Sequence, residues 1–270
     1  MGDEVGGVIR ATSGKQSAAR RHRLADIMQI SIRHNPSFAA ARLALTPNEQ
    51  VRVESGAMMT MSAGVTLQSK MEGGLLRAAK RAMLGGESFF QTTYTSPAQG
   101  GWVEVAPRLP GDLLSFELAP GRAMVVSKGS WIASAMSIQL DTKWGGFKNF
   151  FGAEGGFAVH ASGTGPVLVS CYGALDTWNL SPGETITVDT GHMVAYDDTV
   201  TMALRKVTGG LVQSVKSGEG LVFDFTGPGR VMTQTRNPNE LIGWLASVLP
   251  STNAGAGGVG GLLGGVVGRN

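Results

Sequence analysis

The chain has 270 residues, enough for a substantial core in one or two domains, and 23 Lys and Arg against 20 Asp and Glu. Charged residues make up 16% and glycine numbers 40, which excludes a highly charged disordered chain and favours short strands between frequent turns over long helices. A single cysteine, Cys171, excludes an intramolecular disulfide and a cysteine-based zinc site.

The first 27 residues read as a disordered basic arm. Within it, residues 1–24 carry Arg10, Lys15, Arg20, Arg21 and Arg23 against only Asp3 and Glu4, so the whole surplus of three positive charges sits on a segment without apolar period. The body after it is neutral, whereas a nucleic-acid binder carries its basic excess on the folded surface. RNA is therefore disfavoured as a partner.

From Met28 onward one phrase governs the chain. LTPNEQVRVESG (Leu45 to Gly56), LAPGRAMVVSKG (Leu118 to Gly129) and LSPGETITVDTG (Leu180 to Gly191) match without a gap. Pro47, Pro120 and Pro182 hold the same place, each followed by Asn or Gly, the pair that sets a type II turn. The alternating pairs Val51 and Val53, Met124 and Val126, and Ile186 and Val188 predict a strand with one inward face. Gly56, Gly129 and Gly191 close the phrase and are expected at φ > 0. The reading is of three β units, at 28–107, 108–173 and 174–236.

Each unit also carries a Gly-Gly pair: Gly73-Gly74, Gly145-Gly146 and Gly209-Gly210. Consecutive glycines expose backbone N–H groups that suit an anion or ligand, and they equally serve a tight turn. In the first unit the pair opens a short amphipathic helix in which Leu75, Leu76, Ala79 and Met83 share a face.

A C-terminal helix is predicted over 237–250. Asn237 serves as N-cap, Pro238 as the first helical residue, and Leu241, Trp244, Leu245 and Val248 as its buried stripe. Residues 251–270 form a Gly-rich tail.

Catalytic chemistry is missing from this pattern. His22, His34, His160 and His192 join no local constellation, and no HExxH, GxSxG, P-loop or dinucleotide fingerprint occurs. Cys171, in VLVSCYG, reads as a small core residue. Glu49 and Glu184, after the turns, and Glu54 and Asp189, near the phrase ends, read as caps for backbone N–H groups. Adjacent Asp197 and Asp198 point to opposite sides of a strand, which disfavours a shared metal. No catalytic residue, metal set or cofactor is expected, and the chain is read as not an enzyme. With no secretory h-region and no apolar run of about 18 residues, it is expected to be soluble and cytoplasmic, with the mitochondrion as the alternative compartment.

The triple turn phrase, the Gly-Gly segments and the Asn-Pro helix together resemble the altered inheritance of mitochondria 24 family, over about residues 28 to 250. The resemblance implies a mainly β fold of three tandem short double-stranded β-helix units, like the tryptophan RNA-binding attenuator protein, with three chains closing a ring of nine units. It also implies a largely uncharacterised family with no assigned enzymatic activity, whose mitochondrial branch is linked to inner-membrane organisation. This chain departs from the family pattern at Arg122, where the other two units have Glu49 and Glu184. The expected function is a non-enzymatic, ring-forming scaffold or binding protein, a homotrimer with a protein, membrane-surface or small-ligand partner. A small-ligand sensor with sites between units is the alternative, and an RNA-binding ring the third reading.

Overall fold

Turns recur every five to ten residues along this sequence, and the structure answers with short antiparallel strands. The computed structural model describes residues 28–70, 91–127, 129–141, 158–206 and 221–249. The chain divides into a β body ending at Arg236 and a C-terminal unit beginning at Asn237.

The strands of the body are β1 (Gln29–Arg33), β2 (Ala40–Leu45), β3 (Gln50–Glu54), β4 (Met58–Met61), β5 (Thr66–Lys70), β6 (Gln91–Thr95), β7 (Gly101–Val105), β8 (Leu113–Leu118), β9 (Ala123–Ser127) and β10 (Trp131–Ala135). They continue as β11 (Ile138–Asp141), β12 (Ala158–Gly163), β13 (Gly165–Ser170), β14 (Leu175–Leu180), β15 (Thr185–Asp189), β16 (Met193–Asp197), β17 (Thr201–Lys206), β18 (Leu221–Thr226) and β19 (Gly229–Gln234).

One pairing rule is followed three times, in β2–β7, β8–β13 and β14–β19. The first strand of each set pairs with the sixth, and the sixth with the third. The second pairs with the fifth, and the fifth with the fourth. A register shift falls at one shared place in the third strands, between Met58 and Thr60, Trp131 and Ala133, and Met193 and Ala195. Successive sets are joined through their sheets: β10 pairs with β3 and β16 with β9. The resulting sheet orders are β1-β2-β7-β4, β5-β6-β3-β10-β13-β8, β11-β12-β9-β16-β19-β14 and β15-β18-β17.

The turn chemistry explains where strands end. Pro47, Pro120 and Pro182 each occupy the second residue of a four-residue turn, closed by Glu49 N–H to Thr46 O (3.1 Å), Arg122 N–H to Ala119 O (3.0 Å) and Glu184 N–H to Ser181 O (3.0 Å). The next residue sits at φ +58° in Asn48, +74° in Gly121 and +81° in Gly183, the left-handed value a type II turn requires. Gly56 and Gly129 also have positive φ, +92° and +84°. Gly191 does not. The third copy replaces the expected turn by a 3-10 turn over Thr190–His192, in which the Asp189 carboxylate accepts from the Gly191 N–H at 2.9 Å. A side-chain cap thus does there what a left-handed glycine does in the other two.

Three apolar clusters fill the body. The first joins Leu43, Val51, Val53 and Val103 to Ile132, Ala133 and Leu168 of the next set, so the core runs across the set boundary. The second centres on Trp131, Val167 and Val169 and likewise reaches Val194 and Met232. The third packs Tyr196 against Phe225 with ring centroids 5.0 Å apart, and Phe223 against Phe225 at 5.6 Å. Val51 and Val53 face inward as the alternation predicts, but β9 is buried on both sides, with Val125 as inaccessible as Met124 and Val126. The period-2 pattern fails there because Met124 and Val126 pack in the second cluster while Val125, on the other face, packs in the third.

In the C-terminal unit, α1 (Pro238–Val248) begins as the sequence predicts: the Asn237 side chain accepts from the Asn239 N–H at 2.9 Å and Pro238 opens the helix. The expected buried stripe is not buried. Trp244 is 60% exposed and Val248 56%, and Leu245, Ile242 and Leu249 are also exposed.

Candidate functional site

Two seams run through the body where one strand set meets the next. In the first, Val53, Arg52 and Val51 of β3 stand opposite Ala133, Ser134 and Ala135 of β10. In the second, Val126, Val125 and Met124 of β9 stand opposite Ala195, Tyr196 and Asp197 of β16. The third strands are wholly buried at both seams.

At the first seam, turns of both sets enclose an open cleft of about 390 Å³, lined by Asn48, Glu49, Gln50, Met136, Ser137 and Thr164 among others. The side chains of Glu49, Gln50 and Ser137 are already occupied. Glu49 accepts from the backbone N–H groups of Met28 and Thr46, each at 2.7 Å, as its expected capping role requires. Ser137 donates to Thr164 O at 2.6 Å, and Gln50 to Thr95 Oγ1 at 3.1 Å. Glu184 repeats the cap on the Ser181 N–H at 2.8 Å. What remains is a shallow recess with backbone edges and the Met136 side chain, whose sulfur and carbonyl accept from Arg52.

The second seam is more charged. Asp197 is 5% exposed at its side chain and accepts from Arg230 at its backbone N (3.0 Å), Nε (3.0 Å) and Nη2 (2.9 Å). That pairing raises the guanidinium pKa of Arg230. His160, on the neighbouring β12, is half-buried; burial lowers its pKa, while Asp198 and Asp141 pull it up. His192 does not stand free either: its Nδ1 lies 2.7 Å from Gln234 O, and the Gln234 amide bridges the Tyr172 N–H and Gly191 O. These groups hold strands in place.

The two outer ends of this series differ. β4 and β15 are the counterparts of β10 and β3, but among the described residues each lies at the end of its sheet order with a single strand neighbour. Beside β4 sits a cluster that sequence reading missed. Glu104, 6% exposed at its side chain, accepts from Arg33 Nη1 (2.7 Å), Arg42 Nε (2.9 Å) and Thr60 Oγ1 (2.7 Å). Those hydrogen bonds, that of Arg33 above all, hold its carboxyl down at about 2. Arg42 also lies 4.3 Å over the Trp102 ring. Beside β15, Asp224 pairs with Arg205 and accepts from Thr187 Oγ1 at 2.6 Å. The available signal was the position itself: Glu104 stands where the other sets have Leu168 and Met232.

The Gly-Gly pairs Gly73-Gly74, Gly145-Gly146 and Gly209-Gly210 lie outside the described residues, as do the predicted helix around Leu75 to Met83, the arm with His22, and the tail. His34 occupies a turn at φ +64°. Cys171 is buried, as expected of a small core residue, and burial pushes its thiol up to about 11. No group of three His, Cys, Asp or Glu suited to a metal ion occurs among the described residues.

The family model described as "Mitochondrial biogenesis AIM24" matches residues 30–236, the span of the paired strands. The chain belongs to the AIM24 family. An uncharacterised protein of Streptococcus pyogenes serotype M6 is 28% identical over 234 residues, covering 84% of this chain and 93% of that protein. The crystal structure of protein SPYM3_0169 from Streptococcus pyogenes superposes with a TM-score of 0.70 at 28% identity, covering 82% of this chain and all of that one. The family match embraces both seams, both outer edges and β1 from Ile30 onward. The arm and α1 fall outside it. Among the described residues no helix is long and apolar enough to cross a membrane.

Proposed function

We propose that this AIM24-family chain is a non-enzymatic, ring-forming scaffold or binding protein, built of three tandem attenuator-like units and assembled as a homotrimer. The observation that carries this reading is the pair of outer edges. Each internal seam joins a second strand to the third strand of the following set, and the two strands left over are one of each kind, β15 and β4. A copy that docks β4 on the β15 of its neighbour continues the series: by position, Thr60 then faces Val188, Met61 faces Thr187 and Ser62 faces Ile186. Unpaired strand edges invite such pairing, and a cyclic head-to-tail arrangement closes both of these. Three chains of three units give the nine of the ring that the family resemblance implies.

Native mass measurement of the full chain tests this. A trimer is expected, and Thr187→Lys, which puts a charge on the exposed edge, should yield folded monomer. A wild-type monomer at micromolar concentration would overturn the assembly.

A second reading rests on the seam cleft between Asn48 and Thr164: the scaffold takes a small neutral ligand there. A ligand thermal-shift screen in which Ser137→Trp removes the response would support it.

A further inference from the structure

A different edge of the same body carries an inference beyond assembly. The first strands of the three sets are β2, β8 and β14. β2 is covered by β1, which adds to it antiparallel with five residue pairs, Gln29 opposite Ala44 through Arg33 opposite Ala40. β14 ends its sheet order with β19 as its one strand neighbour among the described residues. Aligning Pro47 with Pro182 places Leu175 to Asn179 on the positions of Ala40 to Ala44. Leu43, opposite Ile30, is fully buried; its counterpart Trp178 is 48% exposed. Ala41, opposite Ile32, is likewise buried, and its counterpart is the exposed Asp176. Trp178 is already held in place, its Nε1–H donating to Thr233 Oγ1 at 3.0 Å.

The geometry points to β14 as an acceptor edge for an extended segment of a partner protein, added antiparallel as β1 adds to β2. The segment carries an apolar residue opposite Trp178 and, two residues further toward its C-terminus, a lysine or arginine opposite Asp176. Backbone hydrogen bonds supply affinity in such strand addition, and alternate side chains supply specificity. Asp176 argues against β1 of a second copy, because β1 offers Ile32 at that place and would bury the carboxylate against an isoleucine. Thr177 and Asn179, both exposed, present polar groups on the opposite face of β14.

Amide hydrogen exchange of the full-length protein tests the edge, with two capped peptides, TTITKTT and TTITETT, as probes. The lysine peptide should slow exchange in Leu175 to Asn179 about tenfold at saturation and the glutamate peptide much less. Asp176→Lys should invert that preference, and Trp178→Thr, an exposed position whose change leaves the core intact, should abolish the protection. Three results would overturn the inference: no slowing at millimolar peptide, slowing indifferent to the peptide's charge, or protection of β14 that grows with protein concentration alone, which would assign the edge to a second copy.

Discussion

The inner strand β9 and the outer strand β15 hold the same place in their sets, yet one is closed and the other open. Val125 lies on β9 with no solvent exposure, opposite Tyr196, whereas its counterpart Thr187 is exposed and hydrogen-bonded to Asp224. Their facing strands differ likewise: β10 and β16 are buried at every residue, and β4 at none. Chemistry follows the packing, since Ala133 and Leu168, or Ala195 and Met232, are replaced at the open end by Thr60 and Glu104. The same strand scaffold thus presents a buried, permanent joint inside the chain and a polar, charge-lined edge at its ends. Charges of this kind keep an exposed edge from pairing indiscriminately while leaving its backbone groups available to one partner.

The sharpest way to break this comparison is to make one change at both places. Val125→Lys buries an unpaired ammonium in the second seam and should cost about 4 kcal/mol or more, enough to unfold the body. Thr187→Lys removes the two hydrogen bonds of Thr187 Oγ1, to Asp224 and from Arg205, at an exposed edge and should cost the folded chain only about 1–2 kcal/mol. Denaturant titration of both variants separates these outcomes. Equal losses would mean that the two strands are not distinguished by their cover.

Acid should loosen the open end through one carboxylate. The Glu104 carboxyl is held at about 2 against a usual 4.5, first by the hydrogen bond from Arg33. A depressed carboxyl contributes stability that is present above its unfolded value and is lost as pH falls through the folded one. Stability should therefore decline between about pH 4.5 and pH 2, and Glu104→Gln should flatten that decline. A thermal-melt series over this window is the check, and an unaltered slope in the variant would assign the acid response elsewhere.

Smaller is the effect expected at the third copy's clamp. Gln234 is 9% exposed and serves both the Tyr172 N–H and Gly191 O, so Gln234→Ala leaves two half-buried backbone groups without that partner and should cost about 1 kcal/mol.

What could be read in the sequence follows from distance along the chain. The proline turns, their left-handed third residues and the caps of Glu49 on Thr46 and Glu184 on Ser181 lie within three or four residues of one another, and local spacing determines them. The Glu104 cluster joins residues 71 and 62 positions apart, and nothing in GWVEV announces that a strand beginning at Gln29 brings Arg33 to it. Periodicity in α1 marked an apolar face correctly, but a period carries no information on what covers that face, and Trp244 and Val248 are exposed. For the candidate site, the expectation of a place between units came from the family resemblance. The residues lining the cleft were not legible, because they come from turns belonging to different sets.

Glycine supplies the finest test, since three copies of one residue differ here only in backbone conformation. Gly129 sits at φ +84° with nothing within 4 Å of where a Cβ would be. Gly129→Ala therefore meets no clash, and its cost is that of the left-handed conformation alone, about 1–2 kcal/mol. Gly191 lies outside the positive-φ region, its N–H tied to Asp189 and its carbonyl to Gln234. Gly191→Ala should change stability by less than about 0.5 kcal/mol, because an L residue adopts a 3-10 turn without strain. Differential scanning calorimetry of the two variants resolves the gap. Equal melting temperatures would show that the repeated glycine answers to something other than backbone conformation, and would return the third copy to the same turn as the other two.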